Sequence, residues 1–495
     1  MNLSESVVGA RAKRTVGHIF GVAAISAGLI LINALLLVAA PTDWLSTANQ
    51  IAPAILLLTC LWGAYRTMKS SPLALWTPMP WFLAACAAYF GFGPLVYHFG
   101  SAESVDYNDY FFPISEFALL ETNLLNAVGI GVVAVGFLLG RISFARGRSL
   151  QIRRFNPLEV RRLMFIFLMI GISVKYLLAI PYYLGLISWT LPGGIQYLST
   201  LTKIAIILSF VLIHNGFKRY WWLLYGLIGV EIITALMTLS KLAIIEVMVA
   251  VGLGWYLGRP NLRSLIVAGV SIAVLYVFVL SPFISFARLA AGAVGVGTVT
   301  EVGDSIVGFA GTRKEDLADS VTGVQGWWTR LSYSNAQAFA IQDYDHGTGG
   351  DTIGLAIYAF LPRLLFPDKP IMTPGREFTA LITGELTETA TAAGFFAEAY
   401  WNGGWILTVL VCLYVGMLFA SFTTFAERTI ATGKFEYLPI VMIGISMGYS
   451  PSEWLVGTYV GPLANAAVLY VVLRYLVMPM IRTPQKANVR IGAVG

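Results

Sequence analysis

Three cations crowd the stretch LPRLLFPDKPIMTPGREF, Leu361 to Phe378, although the chain on either side of it is strongly apolar. Arginine offers a planar fork of donors that matches phosphate oxygens, and lysine adds a mobile point charge. Arg363, Lys369 and Arg376 are therefore candidate ligands for a phosphate or diphosphate, and the prolines among them stiffen the stretch and reduce the entropy lost in ordering it. Arg288, Arg313, Lys314 and Arg330 belong to the same section of the chain, and Arg288 and Arg330 join the candidate set. The plainer alternative is pairing with Asp316, Asp319, Asp368 and Glu377, or snorkelling to lipid phosphates.

Two groups could move a proton beside such a site. Glu398, in GFFAEAYWNGGW, precedes an Asn-Gly-Gly break at the edge of an apolar run, a setting that suits a general base. His346, in DYDHGTGGD, has an imidazole, the side chain most used to take up and hand on a proton. Their plainer readings are an acid paired with a lysine at a helix end and a bystander loop histidine. Asp343-Tyr344-Asp345 has the D-x-D spacing of nucleotide-sugar enzymes, but two residues at that spacing recur by chance. The chain has no Gly-x-Ser-x-Gly, no His-Glu-x-x-His, no phosphate-binding glycine loop and no dinucleotide fingerprint. Nothing in it calls for a metal, nucleotide or other cofactor.

The elements that must position these groups are membrane helices. Of 495 residues 57% are hydrophobic and only 12% charged, where soluble domains carry about 25% charge. Apolar runs near 20 residues recur throughout, the length that crosses a bilayer as a helix. An all-α polytopic fold follows, with spans expected near 18–40, 50–66, 79–98, 118–140, 163–185, 194–213, 221–239, 241–257, 264–284, 405–425, 437–450 and 458–480. Arg11, Lys13 and Arg14 precede the first run, which is longer than a secretory signal's apolar core and so reads as an uncleaved span. Cys60, Cys86 and Cys412 all fall inside apolar runs, so neither a disulfide framework nor a metal cluster can be built from them.

Loop charge sets the orientation. The connector from Arg141 to Arg162 carries seven arginines against Glu159, and short basic loops stay in the cytoplasm. Alternation then places both termini, Arg66/Lys69, Lys218/Arg219 and Arg259/Arg263 in the cytoplasm, and Glu103, Asp106 and Asp109 outside. Three sections result: a nine-span bundle at 1–284, an extracytoplasmic loop at 285–404, and three further spans with a basic tail at 405–495. Within the loop, 353–366 is apolar yet too short to span and is expected to be re-entrant or interfacial. The part running to Asp345 is expected to lie as short helices on the membrane surface, with Trp327 and Trp328 at headgroup level. Ionisable residues within spans mark cavities or pairs. Lys203 is expected to meet Glu231 by depth, while Lys175, Lys241 and Tyr400 are further candidates for lining a cavity.

RLSYSNAQAFAI, GLAIYAFLPRLLFPDKP and GFFAEAYWNGGW together resemble strings found in bacterial O-antigen and exopolysaccharide repeat-unit polymerases. Pro362, Arg363, Pro367, Asp368, Lys369 and Pro370 match a proline–cation string of the large outer loop, and Glu398, Tyr400, Asn402 and Gly403 match a string at the next span. Leu239-Ser240-Lys241 resembles a Ser-Arg step at a span end, with lysine for arginine. Phenylalanine replaces the usual tryptophan before Pro367, and alanine precedes Glu398. The resemblance implies a GT-C-like enzyme of the bacterial cytoplasmic membrane that moves a growing glycan from a polyprenyl diphosphate carrier to a lipid-linked repeat unit. It implies lipid-linked donor and acceptor, a flippase and a chain-length regulator as partners, and no nucleic acid. A ligase or a lipid-linked oligosaccharide flippase would share many of these features.

Overall fold

The computed structural model describes residues 5–39, 42–109, 112–144, 156–183, 193–237, 241–280, 326–361, 374–385 and 391–481, with 283, 366 and 369. Every regular element among them is helical. Nine helices of this part are long and apolar enough to cross a membrane. They include α1 (Glu5–Ala39), α2 (Thr42–Ser70), α3 (Pro78–Phe99), α4 (Glu116–Phe144), α5 (Pro157–Tyr182) and α6 (Tyr197–His214). The apolar helices α7 (Tyr220–Met237) and α8 (Lys241–Gly258) are shorter in apolar length, and α9 (Leu262–Leu280) follows them. After a polar helix, α10 (Ser334–Asp345), come α11 (Gly394–Ala431), the shorter α12 (Leu438–Tyr449) and α13 (Val456–Ile481).

The centre of the bundle is the pair α4 and α11, and glycine makes it possible. In GIGVVAVGFLLG, a Cβ on Gly136 would stand 2.5 Å from the Leu413 carbonyl oxygen, and one on Gly416 would stand 2.3 Å from that of Val133. The two backbones therefore touch. Between apolar helices in lipid, where burial drives nothing, such close approach is what creates attraction. Gly131 repeats the device towards α1, facing Ser26. At the end that the loop charges place in the cytoplasm, Arg141 of α4 donates to both carboxylate oxygens of Glu427 of α11, at 2.9 and 3.3 Å.

The helix α10 does not lie on the bundle surface; it enters it. On α10, Ala336, Gln337, Ala338, Ala340 and Ile341 are all buried, and the helix packs against α4 and α11. Gln337 and Asn126 of α4 exchange two amide hydrogen bonds, 2.8 and 3.0 Å. Asn126 is ten residues along α4 from Glu116, so the contact lies about 15 Å in from that end. Replacing Gln337 alone by leucine should cost about 2 kcal/mol, because it orphans a buried amide. The Gln337→Leu/Asn126→Leu pair should recover most of that loss, read as the dye-reported unfolding temperature of the three buried cysteines.

The inserted element is thus α10, while the segment 353–366, expected to be re-entrant or interfacial, is described only in part. The described part of that segment is two short pieces, Ile353–Leu355 and Ala356–Ala359, without a buried residue. Trp328 is half-buried, its indole N–H donating to the Phe92 carbonyl at 3.0 Å while its ring stacks on Phe92.

Candidate functional site

The outer site is built around a broken helix. Gly403 and Gly404 interrupt α11, and Gly404 adopts φ +61°, ψ −157°, open to glycine alone. A Cβ there would also strike the Tyr344 ring at 2.9 Å. The break frees backbone groups that must be satisfied internally at membrane depth. The chain before α11 supplies the partners. Gly350 N–H donates to the Trp401 carbonyl at 2.9 Å, and Ile353 N–H donates to the Asn402 side-chain oxygen at 3.1 Å.

Glu398 closes the same junction. Its side chain is fully buried. One carboxylate oxygen accepts from the Thr352 hydroxyl at 2.7 Å, and the other accepts from the Leu455 backbone N–H. Asn402 donates to the Thr352 oxygen at 2.9 Å and so holds that hydroxyl towards the acid. Glu398 was expected as a general base at a low-dielectric boundary, and the structure shows how it is held there. With both oxygens engaged and no solvent contact, Glu398 ties the 350–353 segment, α11 and the turn at 450–455 together.

His346 is exposed at the end of α10. Lys369 donates to the Leu361 carbonyl at 3.3 Å, and Arg376 is exposed on the helix Pro374–Thr383. Arg330 is exposed beside the helix Gly326–Thr329. Arg363 and Arg288 lie outside the described residues, as do Pro362, Pro367, Asp368 and Pro370; Lys241 begins α8, and its side chain is not among those described. Tyr400 is buried and donates to Asp345 at 3.0 Å, while the Trp401 indole donates to Asp343 at 2.6 Å. The D-x-D pair therefore fastens α10 to the upper half of α11, and no group of three metal-binding side chains occurs among the described residues.

The ionisable residues of the spans do pair, with exchanged partners. Lys203 meets Glu246, not Glu231, and Lys175 donates to Glu231 at 2.7 Å. Depth along a helix, from which the Lys203–Glu231 pairing was expected, does not say which helices are neighbours; α6 packs on α8. The Lys203–Glu246 pair lines a cavity of about 220 Å³ between α6, α8, α12 and α13, with Tyr449 and Ser450 on its wall. Tyr449 donates to the second Glu246 oxygen at 3.3 Å.

Sequence reasoning missed Glu453, in the turn between α12 and α13. Its side chain reaches solvent, yet dense surroundings strip enough water to push its carboxyl above the ordinary range. Tyr89 and Tyr333, ring centroids 5.5 Å apart, stand nearby, and burial pushes the Tyr333 phenol up to about 12. An acid next to Pro451 and Trp454 in a short turn between two apolar helices was the available signal.

No family model matches the chain, and neither a curated protein nor a solved structure matches it.

Proposed function

We propose that the chain is a membrane glycosyltransferase that joins lipid-linked oligosaccharide repeat units on the outer face of a bacterial cytoplasmic membrane. On this reading α7, α8 and α12 complete twelve crossings, both termini are cytoplasmic, and α10 with its flanks forms the outer cap of a GT-C-like bundle. The observation that carries it is a shared wall. The turn at 450–455, held by Glu398 of the polymerase-like string, also borders the cavity that contains Lys203 and Glu246. The turn that Glu398 holds through Leu455 thus contributes Ser450 to the wall of a cavity with both charge and apolar lining.

In the proposed reaction the acceptor hydroxyl attacks the anomeric carbon of the growing glycan. The bond to the diphosphate oxygen breaks, and the diphosphate leaves with the electron pair. The acceptor proton passes to an accessible base of the outer face, Glu453 or His346. Arg363, Lys369 and Arg376, with Arg288 or Arg330, stabilise the leaving charge. Glu398 and Tyr400 position the elements. The partners are the polyprenyl diphosphate-linked donor and acceptor, with a flippase and a chain-length regulator upstream and alongside.

Source cells lacking the protein provide the test. The size distribution of surface and lipid-linked glycan should collapse from a ladder to one repeat unit. Full-length polymer stranded on its carrier would make the chain a ligase, and repeat units trapped inside would make it a flippase. Arg363→Ala with normal membrane levels and unchanged chain lengths would remove Arg363 from the reaction.

A further inference from the structure

We infer that the cavity between α6, α8, α12 and α13 binds the phosphorylated head of an anionic amphiphile, with Lys203 as its anion-binding group and Glu246 as a resident counter-ion that the head displaces. The lining is ordered in the same sense on all four helices. From one end inwards, α6 presents Thr200 and Lys203 and then Ile204, while α8 presents Glu246 and then Val249. From the same end, α12 and the residue after it run from Ser450, Tyr449 and Ser446 to Ile443, Met442 and Pro439. On α13, Thr458 comes before Pro462. A polar mouth above an apolar floor matches a molecule with a charged head and a hydrocarbon tail. The larger cavity of about 470 Å³ among α7, α8 and α9 has almost wholly apolar walls and offers no charge to a head group.

The Lys175–Glu231 and Lys203–Glu246 pairs differ in a way that singles out the second. Glu231 is 1% exposed, sealed against exchange, whereas Glu246 keeps 30% of its side chain accessible. Glu246 also has the Tyr449 hydroxyl as a second donor, so it retains a partner when Lys203 turns to another anion. A charge that must be buried against apolar walls needs such a substitute. Phosphate suits the vacated lysine because it brings several strong acceptors to a point charge.

The test uses the purified full-length chain in maltoside micelles and radiolabelled farnesyl diphosphate as the probe. Lys203→Met should weaken binding at least about tenfold, the loss expected for one charge-assisted hydrogen bond. Glu246→Gln should tighten binding by about tenfold, because the competing carboxylate is gone. A purely structural ion pair predicts no tightening, so Glu246→Gln binding as the unsubstituted chain does, or more weakly, overturns the inference even where Lys203→Met folds poorly. Inorganic pyrophosphate competing as well as the farnesyl compound would overturn the amphiphile assignment and make the source free diphosphate. Farnesol competing as well would overturn the role of Lys203. The inference shares a diphosphate lipid with the glycosyltransferase reading but is measured without glycan. Loss of the polymer ladder and tightening by Glu246→Gln can therefore fail independently.

Discussion

Glu398→Ala should lower stability by about 3 kcal/mol and shorten or abolish the glycan ladder. The Leu455 N–H and the Thr352 hydroxyl both lose their acceptor inside the protein. An orphaned buried donor costs about 1–3 kcal/mol, and the space left by the side chain adds to this. Removing a buried carboxylate returns part of the loss, because its desolvation is no longer needed. Glu398→Gln separates positioning from proton transfer. Its amide oxygen serves one donor while its NH₂ group faces the other, so about half of the Glu398→Ala loss should remain. If Glu398 only positions, the Gln variant keeps measurable polymer; if it takes the acceptor proton, polymer vanishes while the chain stays folded. Dye labelling of Cys60, Cys86 and Cys412 on heating reports stability, since all three are buried.

Gly416→Ala should cost about 3 kcal/mol, the upper end for overpacking. The new methyl would lie 2.3 Å from the Val133 carbonyl oxygen and 2.7 Å from the Phe137 nitrogen. Both are backbone atoms of α4, so no rotamer change can relieve the contact and the helices must part. Gly136→Ala meets the Leu413 backbone from the other side at 2.5 Å and should cost a similar amount. Together the two should cost less than their sum, since helices already parted accommodate the second methyl. Gly229→Ala in α7 meets nothing within 4 Å and should be neutral or slightly stabilising. Heating curves of the four proteins decide the matter. Gly416→Ala unfolding with Gly229→Ala would mean that α4 and α11 do not depend on backbone contact.

The helical spans were legible because apolar length is a property of each segment alone. The break at Asn402-Gly403-Gly404 was legible for the same reason, since a glycine pair interrupts a helix wherever it stands. Partnership was not. Lys203 was matched to Glu231 by depth, and nothing local in either helix shows that Glu246 of α8 faces Lys203 while Glu231 faces Lys175. The insertion of α10 was hidden by its composition. SNAQAFAIQDYD buries alanines, which add little hydropathy but let helices approach closely. In the described part of 353–366, by contrast, apolar side chains face outward at Ile357, 67% exposed, and Phe360, 55% exposed. Hydropathy shows that a residue avoids water, not whether protein or lipid takes its place. Glu398 was found as a notable acid, but its role depended on Leu455, 57 residues downstream.

That separation has a consequence for how the chain is made. Thr352 leaves the ribosome first, Glu398 next and Leu455 last, and only then can the carboxylate hold all three segments. At roughly 5–20 residues per second, the interval between Glu398 and Leu455 is about 3–11 seconds. On the proposed orientation the section before α11 has by then crossed the membrane without its final clasp, and the broken helix must wait for the last two spans. Biogenesis is therefore vectorial, with the cap locked by the C-terminal hairpin. A chain stopped after Ala431 should show its Thr352 region to an external protease, although every residue of that region has been synthesised.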